Sequence, residues 1–167
     1  MAEQGRATAG LEGGGAPSEP AVARRYLRES GLRDELVYAV ARTRTVLLER
    51  LDAVLDEHEV KRNSYSTLRV VCTDGDVTQR ELASVLRLDP SRLVTIVDDL
   101  QARGWVVRER SKADRRTWVV RPTAQGKVAA ERMRVDIAAM DAQLLAGFTE
   151  SRARELLSSL QQLSGLA

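Results

Sequence analysis

The chain has 167 residues, 30% of them charged and 43% hydrophobic, the proportions of a soluble globular domain with room for a core, not of a disordered or fibrous chain. Its 26 basic and 24 acidic side chains leave a formal charge of +2, so affinity for a polyanion has to come from where the charges sit. The single cysteine, Cys72, and single histidine, His58, exclude an internal disulfide framework and a Cys- or His-rich metal site; no run approaches the ~20 apolar residues of a membrane span or forms a signal-peptide core, so a cytoplasmic protein without metal or cofactor is expected.

Residues 1–20 hold five glycines and two prolines with almost no large apolar group, which predicts a disordered tail. Ala21 to Gly31 turns toward Val22, Tyr26 and Leu27 among arginines and predicts a short helix. From Leu32 to Val60, Leu36, Val40, Leu47, Leu51 and Leu55, widened by Val37, Val46 and Val54, recur at helical spacing and predict one long helix. Ser64 to Cys72 reads as a short helix closed by Asp74, Gly75 and Asp76. Thr78 and Glu81 then form a capping box, in which each side chain takes the other's backbone N–H and starts a helix running to about Leu86. Asp89 followed by Pro90 is an N-cap with proline at the first helical position. Leu93, Ile96, Val97 and Leu100 make the buried stripe of that helix, and Gly104 suits its left-handed C-terminal residue.

The period then changes. Trp105–Glu109 and Thr117–Arg121 are β-branched and aromatic, and the polar run from Arg110 to Arg116 between them makes a hairpin with a charged tip. Helical spacing returns with Val128, Met133, Ile137, Met140, Leu144 and Phe148, and again from Glu150 to Leu163. The expected fold is mainly α with a small β-hairpin wing, a winged helix-turn-helix flanked by long dimerisation helices. Its parts are a tail (1–20), N-terminal dimerisation helices (21–63), the winged helix-turn-helix (64–122) and C-terminal dimerisation helices (123–167).

Between Thr78 and Lys127 there are eleven basic and six acidic residues, so this segment carries +5 and the remainder −3. A cationic module releases counterions condensed on DNA and gains affinity without reading sequence, although a solvated charged face would show the same count. In a helix-turn-helix the first residues of the second helix face base edges, here Ser91, Arg92 and Thr95. Arg92 has the fork that matches guanine O6 and N7. Thr78 and Gln79 at the start of the preceding helix, and Arg110, Lys112, Arg115 and Arg116 of the wing, complete the candidate DNA-binding set. Asp114 repels DNA and is expected to pair with a neighbouring arginine and hold the wing in shape.

The run Thr-Gln-Arg-Glu-Leu-Ala from Thr78, Val97-Asp98-Asp99-Leu100, Gly104-Trp105-Val106, Asp114-Arg115-Arg116 and Thr123-Ala124-Gln125-Gly126 resemble the successive motifs of MarR-type transcriptional regulators, over Leu32 to Leu163. The resemblance implies a homodimer with interlocking terminal helices. It also implies a short palindromic operator, repression, and release by a small phenolic or anionic aromatic ligand. By the same resemblance Arg115 is the wing arginine and Asp98 a helix-bracing acid. Thr95 stands where many members place arginine or another long polar reader, Pro122 replaces the usual leucine, and no proline precedes Asp114, so operator sequence and wing shape do not carry over.

The apolar faces of Leu32–Val60 and Val128–Leu163 exceed what one small winged helix needs, and a two-fold dimer would set its reading helices about 34 to 36 Å apart. His58, Tyr65 and Arg69 are the candidate ligand-binding residues. Against that reading, His58 can be an exposed helix-end residue, Tyr65 core packing and Arg69 a phosphate contact. Cys72, next to the apolar Val70 and Val71, reads as inert burial, Trp105 and Trp118 as packing residues, and Met133 and Met140 as core. The residues leave open a winged-helix protein without an effector; an enzyme lacks support from any nucleophile, metal or nucleotide constellation.

Overall fold

The computed structural model describes residues 20–73, 76–112 and 114–166; the predicted tail, apart from Pro20, lies outside them. The elements are α1 (Ala21–Glu29), a 3-10 turn (Leu32–Asp34), α2 (Leu36–Asp56), α3 (Arg62–Val71), α4 (Gln79–Leu86), α5 (Pro90–Ala102), β1 (Val106–Arg110), β2 (Trp118–Pro122), α6 (Ala124–Leu144) and α7 (Glu150–Ser164). The expected class, mainly helical with one hairpin, is the one observed. Among the described residues no helix is long and apolar enough to cross a membrane.

The chain divides into two compact units. The first, Arg44–Met140, holds the winged helix-turn-helix around one apolar cluster: Leu55 from α2, Leu68 and Val71 from α3, Leu82 from α4, Leu93, Val97 and Leu100 from α5, Val106 and Val120 from the hairpin, and Met133 from α6. Each such side chain taken out of water contributes about 1.5–3 kcal/mol before conformational entropy is counted. Thr67 is also fully buried, and its hydroxyl donates to the carbonyl of Asn63 at 2.7 Å. β1 and β2 pair antiparallel from Val106 opposite Pro122 to Arg110 opposite Trp118. The residue before the cap of α4 joins them, because Val120 N–H donates to the Val77 carbonyl at 2.8 Å.

Thr123 and Gly126 lock the start of α6 to the turn before β1. The Thr123 hydroxyl donates to the Gly104 carbonyl at 2.7 Å and accepts the Gly126 N–H at 2.9 Å. A Cβ on Gly126 would lie 2.0 Å from the Trp105 carbonyl oxygen, so only glycine fits there. The Thr-x-x-Gly motif is therefore a packing device.

The second unit comprises the described residues up to Thr43 and from Asp141 onward, with α1, the 3-10 turn, the start of α2 and α7. None of its described residues is buried. Val37, Val40, Leu157, Leu160 and Leu163 all stand exposed.

Several boundaries differ from expectation. The long helix begins at Leu36, not Leu32, because Glu35 is extended after the 3-10 turn, and it ends at Asp56 before Glu59, which takes a left-handed backbone. α3 starts two residues early and both strands lie one residue later than predicted. α6 stops at Leu144, so Phe148 lies in the connection to α7.

Candidate nucleic-acid interface

The two helices of the turn are placed by their caps. Thr78 accepts the Glu81 N–H at 3.2 Å, while the Glu81 carboxylate accepts both the Thr78 N–H and its hydroxyl at 2.8 Å. Those bonds hold the Glu81 carboxyl below its ordinary value. They also commit the Thr78 hydroxyl hydrogen to the cap. At α5, Asp89 accepts the Ser91 N–H at 2.8 Å, the Arg92 N–H at 3.3 Å and the Ser91 hydroxyl. The Ser91 hydroxyl, then its N–H and that of Arg92, pull the Asp89 carboxyl down. Thr95 donates to the Ser91 carbonyl at 3.3 Å, and α5 ends at Ala102 with Gly104 at φ +70°.

Arg108 on β1 ties the wing to both helices. Its guanidinium donates to the Gln79 side-chain oxygen at 3.1 Å, to Gln101 at 3.0 Å and to the Asp98 carboxylate at 2.6 Å. The bracing role expected of Asp98 is thus filled, with Arg108 as its partner. Gln79 keeps its amide hydrogens as donors.

At the base of the wing Asp76 accepts from the Ser111 hydroxyl at 3.0 Å and pairs with Arg121, which also lies 3.5 Å from Glu109. The Ser111 hydroxyl, opposed by partial desolvation and aided by the Arg121 charge, leaves the Asp76 carboxyl below its ordinary value. At the tip Asp114 accepts the Arg116 N–H at 2.9 Å and the Thr117 hydroxyl at 2.8 Å, and the same two groups lower its pKa. It does hold the wing, but through the backbone of Arg116 and a hydroxyl instead of an arginine side chain: a short carboxylate at a turn reaches the next N–H groups most easily. Arg110 bends inward, donating to the Arg116 carbonyl at 3.0 Å, and its guanidinium lies 4.2 Å over Trp118. Trp118, expected to pack, is 53% exposed, with the Arg110 guanidinium over its ring.

Apart from Arg110, turned onto Trp118, and Lys127, which belongs to α6, these bonds sort the cations of the segment into two sets. Arg103, Arg108 and Arg121 are engaged with Asp99, Asp98, Asp76 and Glu109. Arg80 on α4, Arg87 at its left-handed C-cap, Arg92 on α5, and Lys112, Arg115 and Arg116 on the wing are exposed and form no ion pair among the described residues. Ser91 and Thr95 are exposed beside Arg92. Arg80 and Arg87 were not among the sequence candidates; their place on the face of the first helix was the available signal.

The three ligand candidates all meet α6. His58, in the turn after α2, is 2.8 Å from Asp136 through Nε2, and is half-buried, not an exposed helix end. Tyr65 packs partly against the core and interacts electrostatically with Arg134, and Arg69 does so with Glu131. Burial pushes the Cys72 thiol up, outweighing the charges of Arg69 and Lys127, as suits an inert residue.

A helix-turn-helix with a basic hairpin beside it is the winged-helix fold of DNA-binding domains. Residues 58–117 match the MarR family model. The chain is 31% identical over 77 residues to the uncharacterized HTH-type transcriptional regulator YpoP of Bacillus subtilis, a stretch covering 46% of this chain and 54% of YpoP. The solved structure of CouR from Rhodococcus jostii RHA1 bound to p-coumaroyl-CoA is similar with a TM-score of 0.71 and 27% identity, covering 79% of this chain and 93% of that one. A structure of the transcriptional repressor CouR on a 23-mer DNA duplex gives a TM-score of 0.73 and 25% identity over 80% of this chain and 94% of that one. Over residues 58–117 the chain is thus similar to the MarR family, and the relatives and solved structures it resembles there are transcriptional regulators.

Proposed function

We propose that the chain is a homodimeric, sequence-specific DNA-binding regulator, a repressor that leaves a palindromic operator when a small aromatic or anionic ligand binds. The observation that carries this reading is the sorting of cations. Inner arginines hold the helices and wing together, and six further cations project from the two helices of the turn and the wing tip. Residues 64–122 form the DNA-binding part. Arg92, Ser91 and Thr95 meet bases, while Arg80, Arg87, Gln79, the N-terminal end of α4 at Thr78, and Lys112, Arg115 and Arg116 meet phosphates or the adjacent minor groove; Arg110, turned onto Trp118, shapes the wing instead.

Dimerisation through residues 21–63 and 123–167 is supported by the second unit, in which helices of amphipathic pattern bury nothing. A second copy supplies the missing apolar cover; stable homodimers commonly bury over about 2,000 Å². The effector reading rests on His58, Tyr65 and Arg69 meeting charged residues of α6, and on CouR, whose ligand is an aromatic acyl-CoA. Fluorescence anisotropy on duplexes selected from a random pool, with sedimentation of the free protein, tests the whole. Expected are a dimer, a steep salt dependence, and release by aromatic acids or their CoA thioesters. A monomer at micromolar concentration, or no binding at any salt, overturns the proposal, and binding insensitive to every ligand class removes the effector alone.

A further inference from the structure

The recognition helix carries one side chain that breaks its own burial pattern. Leu93, Ile96, Val97 and Leu100 are buried, whereas Val94 is 45% exposed. With Ala83, Leu88 and Pro90 it lines an open, largely apolar trough of about 570 Å³ between α4 and α5, and Gln79 and Arg80 supply its polar wall. Val94 therefore belongs to the face on which Gln79 and Arg80 stand, next in sequence to Thr95 and two residues from Arg92.

The charge around the trough selects its occupant. Arg80 lines it, Arg87 and Arg92 are exposed on the same two helices, and no exposed carboxylate is among its lining residues. An apolar peptide gains nothing from that charge; duplex DNA gains from all of it. In the major groove, the feature complementary to an aliphatic side chain is the C5-methyl of thymine. We infer that Val94, seated in this trough, reads a thymine methyl in each half-site, an assignment that rests on the DNA-binding reading above. It adds a specificity determinant where Ser91 and Thr95 spend their hydroxyl hydrogens on Asp89 and the Ser91 carbonyl.

The test uses the full chain and its selected duplex, with each thymine replaced in turn, symmetrically in both half-sites, by deoxyuridine. That change removes the methyl and leaves every hydrogen-bonding edge in place. One position is expected to weaken binding roughly fourfold per half-site, the value of one methyl group taken out of water. Val94→Ala should make that replacement neutral, while Thr95→Ser should leave its effect intact. Both side chains are exposed, and circular dichroism melts check that the variants keep the fold. A flat deoxyuridine scan with binding intact overturns the Val94 assignment alone, as does a sensitivity that survives Val94→Ala or disappears in Thr95→Ser. Absence of any duplex binding overturns the DNA-binding reading and this assignment with it.

Discussion

Replacing Arg108 by methionine separates bracing from DNA contact. Methionine keeps most of the apolar stem and removes the donors that hold Gln79, Gln101 and Asp98. The Asp98 carboxylate is 59% exposed, so the ionic part of the pair is screened and contributes under about 1 kcal/mol. The two bonds to neutral amides contribute about 0.5–1.5 kcal/mol each, offset in part because their acceptors rehydrate. A net loss of about 1–2 kcal/mol follows, which for a chain of this size lowers Tm by roughly 3–6 °C. The same ordering must then be supplied when DNA binds, so affinity falls by a similar amount, roughly five- to thirtyfold. The slope of log K against log salt should not change, because Arg108 releases no counterion from DNA. Thermal melts and anisotropy titrations over a range of salt measure all three quantities. A shallower salt slope in Arg108→Met would make Arg108 a phosphate contact and refute the sorting of cations; an unchanged Tm would refute the bracing.

Arg115→Ala should weaken binding to every duplex and reduce the salt slope by about 0.9 per protomer, whereas Arg92→Ala should relax preference at one base pair per half-site by about 1–3 kcal/mol. Equal weakening by Arg92→Ala on all sequences would make it a phosphate contact. The Arg116 N–H and Thr117 hydroxyl hold the Asp114 carboxyl below the ordinary 3.8, so the ordered wing binds this proton less readily than the open loop. Its contribution to wing order is complete above that value and is lost as pH falls below it. Trp118 fluorescence, sensitive to the Arg110 stack, should report the acid transition, and Asp114→Asn should loosen the wing already at neutral pH; identical neutral spectra would count against the assignment. Gly126→Ala must displace the Trp105 carbonyl and should cost about 1–3 kcal/mol in denaturant unfolding, and a neutral effect would show that the start of α6 is free to shift.

The elements that were legible in advance are those whose determinants lie within a few residues. Thr78 and Glu81 bond across three residues, Asp89 caps the next two N–H groups, and Gly104 supplies a left-handed backbone at the end of α5. Roles that depend on distant partners were not. Arg108 meets Gln79 across 29 residues and His58 meets Asp136 across 78, and neither residue type announces its partner. Charge counting had the same limit. The +5 of the central segment is visible in the sequence, but which arginines are bound inside the domain is not, so Arg110 reads as an outward cation although its guanidinium lies against Trp118, and Arg80 and Arg87 count toward the charge without standing out as contacts. Val94 lies off the buried stripe of Leu93, Ile96, Val97 and Leu100, but an exposed valine carries no charge or polar group by which a sequence marks it as a contact.

The same bonds bear on how such a domain divides affinity from specificity. Among the exposed residues of the first turns of α5, Ser91 to Thr95, only Arg92 offers a long, multiply donating side chain, since Ser91 and Thr95 have already given their hydroxyl hydrogens within the helix. Lone pairs remain on both, but an acceptor alone distinguishes fewer base edges than a donor and acceptor together. In the proposed complex the cations on α4 and the wing tip act on phosphates whatever the sequence, so one copy of the proposed dimer gains affinity faster than discrimination. Two consequences follow from that imbalance. Non-hydrogen-bonding readout, a methyl against Val94 or groove shape against the wing, carries more of the choice than it would beside a second long polar reader. And in the dimer proposed above the small preference of each half-site becomes useful only when two are read together, because their free energies add while errors in either are penalised; on that proposal the unburied helices of the second unit are as much a part of specificity as the recognition helix itself.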